Sequence, residues 1–152
     1  MTVSKTSTLR IALAQLNSTV GDLEGNARLA RKARAEAAAQ NADLVVFSEL
    51  FITGYPPEDL ILKPAFIEAS KQVIEELAKE TADGGPALLI GTPWPGEDGG
   101  QPYNSVALLD GGAISDIRHK VDLPNYGVFD EKRVFRQGPM PGPMNFRDVR
   151  LG

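Results

Sequence analysis

Glu49 and Lys120 are the residues of this chain best placed to do chemistry. Glu49 follows the apolar run Leu44-Val45-Val46-Phe47 after one serine. Lys120 follows the β-rich stretch Ala113 to Arg118. Each stands where a buried strand is expected to end. A carboxylate at the margin of a core is partly stripped of water, a setting that suits general acid or base work. An ammonium at a second strand end would hold positive charge against a developing oxyanion. A lone Glu or Lys at a strand end is more often simply solvated, so the neighbouring residues decide. Phe51 to Pro57, with its Gly54-Tyr55-Pro56-Pro57 word, makes a rigid, aromatic-walled loop beside Glu49, and such walls are typical of pockets. Tyr126, Phe129 and Glu131 follow Lys120 in a loop richer in aromatic residues than an ordinary linker, although loop aromatics more often cap a core than bind a ligand.

Composition narrows the chemistry. The chain has 152 residues, enough for one domain with a substantial core. Its net charge of −4 argues against nucleic acid or an anionic membrane as partner. No cysteine is present, which removes disulfides and thiolate metal sites. A single histidine, His119, excludes a multi-histidine metal site and is read as structural or exposed. No phosphate-cradling glycine loop is present. No apolar run reaches the ~18 residues of a membrane helix, and Met1 to Thr8 are polar, unlike a secretory leader. The Asn17-Ser18-Thr19 sequon is then a chance match. A cytoplasmic location is expected.

The elements that must position the two residues can be read from periodicity. Leu9 to Gln15 reads as a first strand. Asp22 is a good N-cap for a helix over Leu23 to Gln40, with Leu23, Ala27, Ala30 and Ala37 on its buried face. Leu44 to Phe47 is a strand covered on both faces. Pro64 opens a second helix whose stripe is Phe66, Ile67, Ser70, Val73, Ile74, Leu77 and Ala78. Ala87 to Gly91 is a third strand, and Tyr103 to Leu109 with Ala113 to Arg118 make a hairpin about Asp110-Gly111-Gly112. Trp94 is expected to pack under a loop. Proline and glycine exclude regular structure across much of 121–145, and Asn145 to Leu151 begins one more strand. The β-α-β-α-β order predicts an α/β fold with a mostly parallel sheet. Glu49, Gly91-Thr92-Pro93 and Lys120 would then share the carboxyl ends of the strands, where open α/β sheets place their sites.

Three words of sequence carry a resemblance. They are Gln15 to Asn26, Ser48-Glu49-Leu50-Phe51-Ile52-Thr53-Gly54-Tyr55-Pro56-Pro57-Glu58-Asp59-Leu60, and Lys120-Val121-Asp122-Leu123-Pro124-Asn125-Tyr126-Gly127-Val128-Phe129-Asp130-Glu131. Together they resemble the nitrilase or carbon–nitrogen hydrolase superfamily, and within it the N-terminal glutaminase domains of glutamine-dependent NAD+ synthetases. The resemblance implies an α-β-β-α sandwich, of which residues 1–152 are only the N-terminal part, with the synthetase domain absent. It implies a Glu-Lys-Cys mechanism in which Glu49 is general base and Lys120 steadies the oxyanion. Tyr126 would contact glutamine, and Tyr55, Phe129 and Glu131 would line or order the pocket. No cofactor is expected in this chain, with ATP and magnesium confined to the missing synthetase domain. The expected partners are glutamine and the C-terminal remainder of the same protein, as a homo-oligomer at full length.

Two departures qualify these expectations. Ser48 stands where the superfamily often has proline, a change beside the glutamate that threatens little. The cysteine nucleophile would lie on the strand that Val149 begins, beyond Gly152. The chain by itself is therefore expected to be inactive, with a sheet edge and one core face uncovered. The alternatives are a fragment of a stand-alone amidase or carbamoylase, and a non-catalytic binding domain.

Overall fold

The computed structural model describes residues 8–152; Met1 to Ser7, most of the polar N-terminal stretch, lie outside the described residues. Five strands form one sheet in the order β1-β2-β3-β4-β5, namely Ile11–Ala14, Leu44–Phe47, Ala87–Trp94, Tyr103–Asp110 and Ala113–His119. Two helices, α1 (Leu23–Ala39) and α2 (Pro64–Glu80), cover one face. A short helix, α3 (Glu131–Val134), follows β5, and the hairpin β6–β7 (Met144–Phe146 and Val149–Leu151) reaches the other face.

The helices begin where their sequence signals stand. The Asp22 carboxylate accepts a hydrogen bond from the Gly25 amide at 2.9 Å and caps α1. Pro64 occupies the first turn of α2, where its missing N–H costs nothing. Ala27, Ala30 and Ala37 are buried, with Leu23 only partly so, and the small side chains let α1 lie close to the sheet. Ile67, Ser70, Ile74, Leu77 and Ala78 bury the stripe of α2. Val45, Phe47, Leu88, Ile90, Ala107 and Leu109 meet the helices, while Leu44, Ala87 and Leu108 alternate to the opposite face against Met144 and Phe146.

Four expectations need correction. The sheet is mixed rather than mostly parallel: β1–β2 and β2–β3 are parallel, β3–β4 and β4–β5 antiparallel. Pro95 to Pro102 is too short for a crossover helix, so β4 must return antiparallel. β3 continues to Trp94, so Gly91-Thr92-Pro93 lies inside a strand and not at its end, and Trp94 finishes that strand against the main core instead of packing under a loop. Pro93 is tolerated because β2 leaves β3 after the Val46–Leu89 pair, giving β3 an open flank there. The last residues form a two-strand hairpin in place of one strand; the proline-rich segment is irregular over much of its length, as expected, and holds only the short α3. At the sheet margin Leu13 remains 73% exposed, in keeping with the expected open edge.

Candidate active site

The turn that carries Glu49 is built by two features. β2 stops at Phe47, and the chain swings over β3 at Gly91, whose carbonyl accepts a hydrogen bond from the Ile52 amide at 3.2 Å. A Cβ at Gly91 would lie 2.4 Å from the Leu50 nitrogen and 2.5 Å from the Ser48 carbonyl, so only glycine allows this approach. Leu50 then adopts φ 48°, a conformation disfavoured for a branched side chain. Its side chain is fully buried with Ile61, Ile67, Leu123, Val134 and Phe135, and that burial offsets the backbone cost.

This second apolar cluster explains how distant residues converge. Leu50 follows Glu49, Leu123 follows Lys120, and Val134 and Phe135 follow Glu131. Packing the four together draws all three polar side chains to one place. Lys120 Nζ lies 2.7 Å from Glu49 Oε1, across 71 residues of sequence. It also donates to Glu131 Oε1 at 3.1 Å and lies 3.0 Å from Glu131 Oε2, an ionic contact without hydrogen-bond alignment. Tyr55 donates to Glu131 Oε1 at 3.4 Å, closing the group from the other loop. The Tyr55–Pro56 peptide is cis.

Glu131 is buried, whereas Glu49 keeps 45% of its side chain exposed. One ammonium therefore faces one sequestered and one accessible carboxylate. Burial works against the charge of Lys120, but the hydrogen bonds it donates to Glu49 and Glu131 outweigh that and hold the ammonium above the ordinary lysine range. The Tyr55 phenol is pushed up by burial and then by the charges of Glu131 and Glu49, so it stays a donor. An open cleft of about 680 Å³ adjoins Glu49 and Lys120, with Asn104, Val106 and Met140 among its walls.

Glu49, Lys120, Glu131 and Tyr55 thus form one connected group. Tyr126 and Phe129 do not join it by any hydrogen bond: they sit edge to face with centroids 5.7 Å apart, and Tyr126 is 71% exposed. Tyr126 shares a neighbouring surface cavity with Lys120. His119 is half-buried and held by two residues of β4. Its ring stacks on Tyr103 at 4.1 Å and its Nδ1 pairs with Ser105 Oγ at 2.8 Å. Sequence reasoning missed Asn104, buried on β4, whose Nδ2 donates to Glu49 Oε1 at 2.6 Å. The available signal was a polar Asn-Ser pair inside the otherwise apolar strand Tyr103 to Leu109. Among the described residues no cluster of His, Cys, Asp and Glu side chains could hold a metal ion, and no helix is long and apolar enough to cross a membrane.

Known proteins share this sequence and arrangement. The chain is 44% identical over 144 residues to a glutamine-dependent NAD(+) synthetase of Thermotoga maritima, covering 95% of this chain and 24% of that protein. A glutamine-dependent NAD(+) synthetase of Rhodobacter capsulatus is 44% identical over 147 residues, covering 97% of this chain and 26% of the relative. The chain thus spans about a quarter of the length of these curated relatives. The structure of glutamine-dependent NAD+ synthetase from Acinetobacter baumannii in complex with ADP superimposes with a TM-score of 0.85 at 33% identity, covering 93% of this chain and 26% of that one. The NitN amidase from Neterenkonia sp. AN1 gives 0.77 at 29% identity, covering 94% and 55%. The fold is accordingly nitrilase-like, and the family model for carbon-nitrogen hydrolases matches residues 10–152: this chain belongs to the carbon–nitrogen hydrolase family.

Proposed function

We propose that this chain is the first part of a glutaminase that releases ammonia for the amidating reaction of a glutamine-dependent NAD+ synthetase. The observation that carries the reading is the Glu49–Lys120–Glu131 group, an acid and an ammonium 2.7 Å apart with a buried carboxylate behind them. Curated synthetases reach 44% identity, and among solved structures a synthetase superimposes better than the NitN amidase, with a TM-score of 0.85 against 0.77; both favour glutamine over another amide.

A cysteine that these 152 residues do not contain would supply the sulfur. Glu49 takes the thiol proton, and the thiolate attacks the side-chain amide carbon of glutamine. The carbonyl π-pair moves onto oxygen, and the Lys120 ammonium stabilises that oxyanion together with a backbone N–H beside the cysteine. Glu49 returns its proton to the departing ammonia. It then deprotonates the water that hydrolyses the thioester. Glu131, through its contacts with Nζ, keeps Lys120 charged and aimed. Tyr55 orders Glu131, and Tyr126 and Phe129 form an outer wall that glutamine meets on entry. ATP and magnesium belong, on this reading, to the synthetase portion, and no residue of this chain is assigned to them.

The test is made in the enzyme that carries this chain with its cysteine. Glu49→Gln and Lys120→Met should each abolish glutamine-dependent NAD+ formation and leave ammonia-dependent formation intact. Removing an oxyanion donor raises the barrier by roughly 2.7–4 kcal/mol, a loss of ~100- to 1,000-fold. Near-native glutamine hydrolysis in both variants would refute the assignment.

A further inference from the structure

Glu49 does not present two equivalent oxygens. Oε1 accepts from Lys120 Nζ at 2.7 Å and from Asn104 Nδ2 at 2.6 Å. Among the described residues nothing bonds Oε2, and nearly half of the side chain is open to the cleft. Asn104 is 3% exposed and sits in β4 opposite Pro93, where the antiparallel ladder fixes its backbone. It holds the lysine as well: its carbonyl accepts from the Lys120 amide at 2.7 Å. One buried residue therefore ties down both members of the acid–ammonium pair, the glutamate by its side chain and the lysine by its main chain. An ionised carboxylate can only accept, so the amide must offer its NH2 group, and the opposite flip would set oxygen against oxygen.

We propose that Asn104 is a positioning residue that reserves Glu49 Oε1 as an anchor and leaves Oε2 as the oxygen that carries protons. The proposal rests on the glutaminase reading. In the first step the thiol proton moves to Oε2 and the electron pair stays on sulfur. In the next the same proton leaves Oε2 for the departing nitrogen. Oε1 keeps both of its donors throughout, so the carboxylate plane does not turn between the two transfers. A carboxylate held by Lys120 alone would swing about its Cγ–Cδ bond and spend part of its time with the wrong oxygen forward. Proton transfer is steep in this geometry, because donor and acceptor must meet at hydrogen-bond distance.

The experiment uses the cysteine-containing enzyme and two substitutions, Asn104→Leu and the isosteric Asn104→Asp. Steady-state glutamine hydrolysis and thermal unfolding are measured for each. Asn104→Leu should lower kcat about 10- to 100-fold, the range for losing a hydrogen bond to a charged group, and leave KM within about threefold. Asn104→Asp should lose a similar factor near neutral pH and regain part of it as pH falls, since a protonated Asp at 104 can again donate to Oε1. Recovery of this kind is not expected from a purely structural residue, and the aspartate keeps the test open if leucine prevents folding. A kcat within about twofold of the parent in the folded variants would overturn the proposal. So would a rise in KM at constant kcat, or a loss that merely tracks the folded fraction. If Glu49→Gln is also fully active, the glutaminase reading itself has failed; if Glu49→Gln is dead and Asn104→Asp is normal at every pH, only the role of Asn104 has.

Discussion

Gly91→Ala should damage the site without touching any polar group in it. The added methyl would stand 2.4 Å from the Leu50 nitrogen, 2.5 Å from the Ser48 carbonyl oxygen and 2.9 Å from the Glu49 carbonyl carbon. All three are backbone atoms, so no side chain can rotate away. Ordinary contact begins at 3.4 Å, and restoring it requires the turn to retreat by about 1 Å. Leu50 cannot follow freely, because it is fully buried and already at φ 48°. Two consequences follow. Overpacking of this kind costs about 1–3 kcal/mol of stability. A displacement of ~1 Å at Glu49 corresponds to about a 100-fold loss in kcat, by the usual sensitivity of reacting groups to misplacement. The assay is glutamine hydrolysis by the cysteine-containing enzyme, beside thermal unfolding of the same preparations. Gly142→Ala serves as the control: a Cβ there meets open space, and stability should stay within about 0.5 kcal/mol. If Gly91→Ala matched the parent in both kcat and melting midpoint, the claim that β3 sets the position of Glu49 would be wrong.

Two further outcomes concern stability. Asp22→Ala removes the carboxylate that accepts from the Gly25 amide and should cost ~1 kcal/mol in chemical denaturation, with an unchanged m-value. Burial, helped by the Arg118 charge and opposed by Glu97, holds the His119 imidazole below its ordinary value of 6.5. The unfolded chain therefore takes up that proton first as pH falls. Stability should decline below about pH 6.5 and level off beneath the folded value. In His119→Gln this part of the slope should vanish, which melting curves of the two proteins from about pH 7.5 down to about pH 5.5 would reveal.

Much of the scaffold was legible because its signals are local. The cap at Asp22, the proline at 64 and the apolar run Leu44 to Phe47 each act within a few residues of themselves. The positions of Glu49 and Lys120 were legible for a related reason, since Glu49 follows β2 after one serine and Lys120 directly follows β5. What escaped was set by contacts between segments. The end of β3 was misplaced because glycine and proline read as breakers, yet Gly91 is small to admit the Glu49 turn and Pro93 lies where β2 has departed. Glu131 was placed in a loop, but the packing of Val134 and Phe135 converts that stretch into α3, with Asp130 accepting from Arg133 across the turn. Asn104 was passed over because a polar residue in a strand looks solvated until its burial is known.

The same distinction bears on how the site is held together. A surface ion pair between Glu49 and Lys120 would contribute little by itself, typically under 1 kcal/mol, and could not draw together segments 71 residues apart. The apolar cluster of Leu50, Ile61, Ile67, Leu123, Val134 and Phe135 can, because each large side chain contributes about 1.5–3 kcal/mol on full burial. Glu131 then has to be paired, since a buried lone carboxylate would cost several kcal/mol. Lys120 meets that requirement from one side and Tyr55 from the other. Glu49 is the member left partly in solvent, with one oxygen anchored by Lys120 and Asn104 and the other open to the cleft. The polar group is thus a consequence of apolar packing around it, and the exposed oxygen is the part of that group the packing leaves free to react.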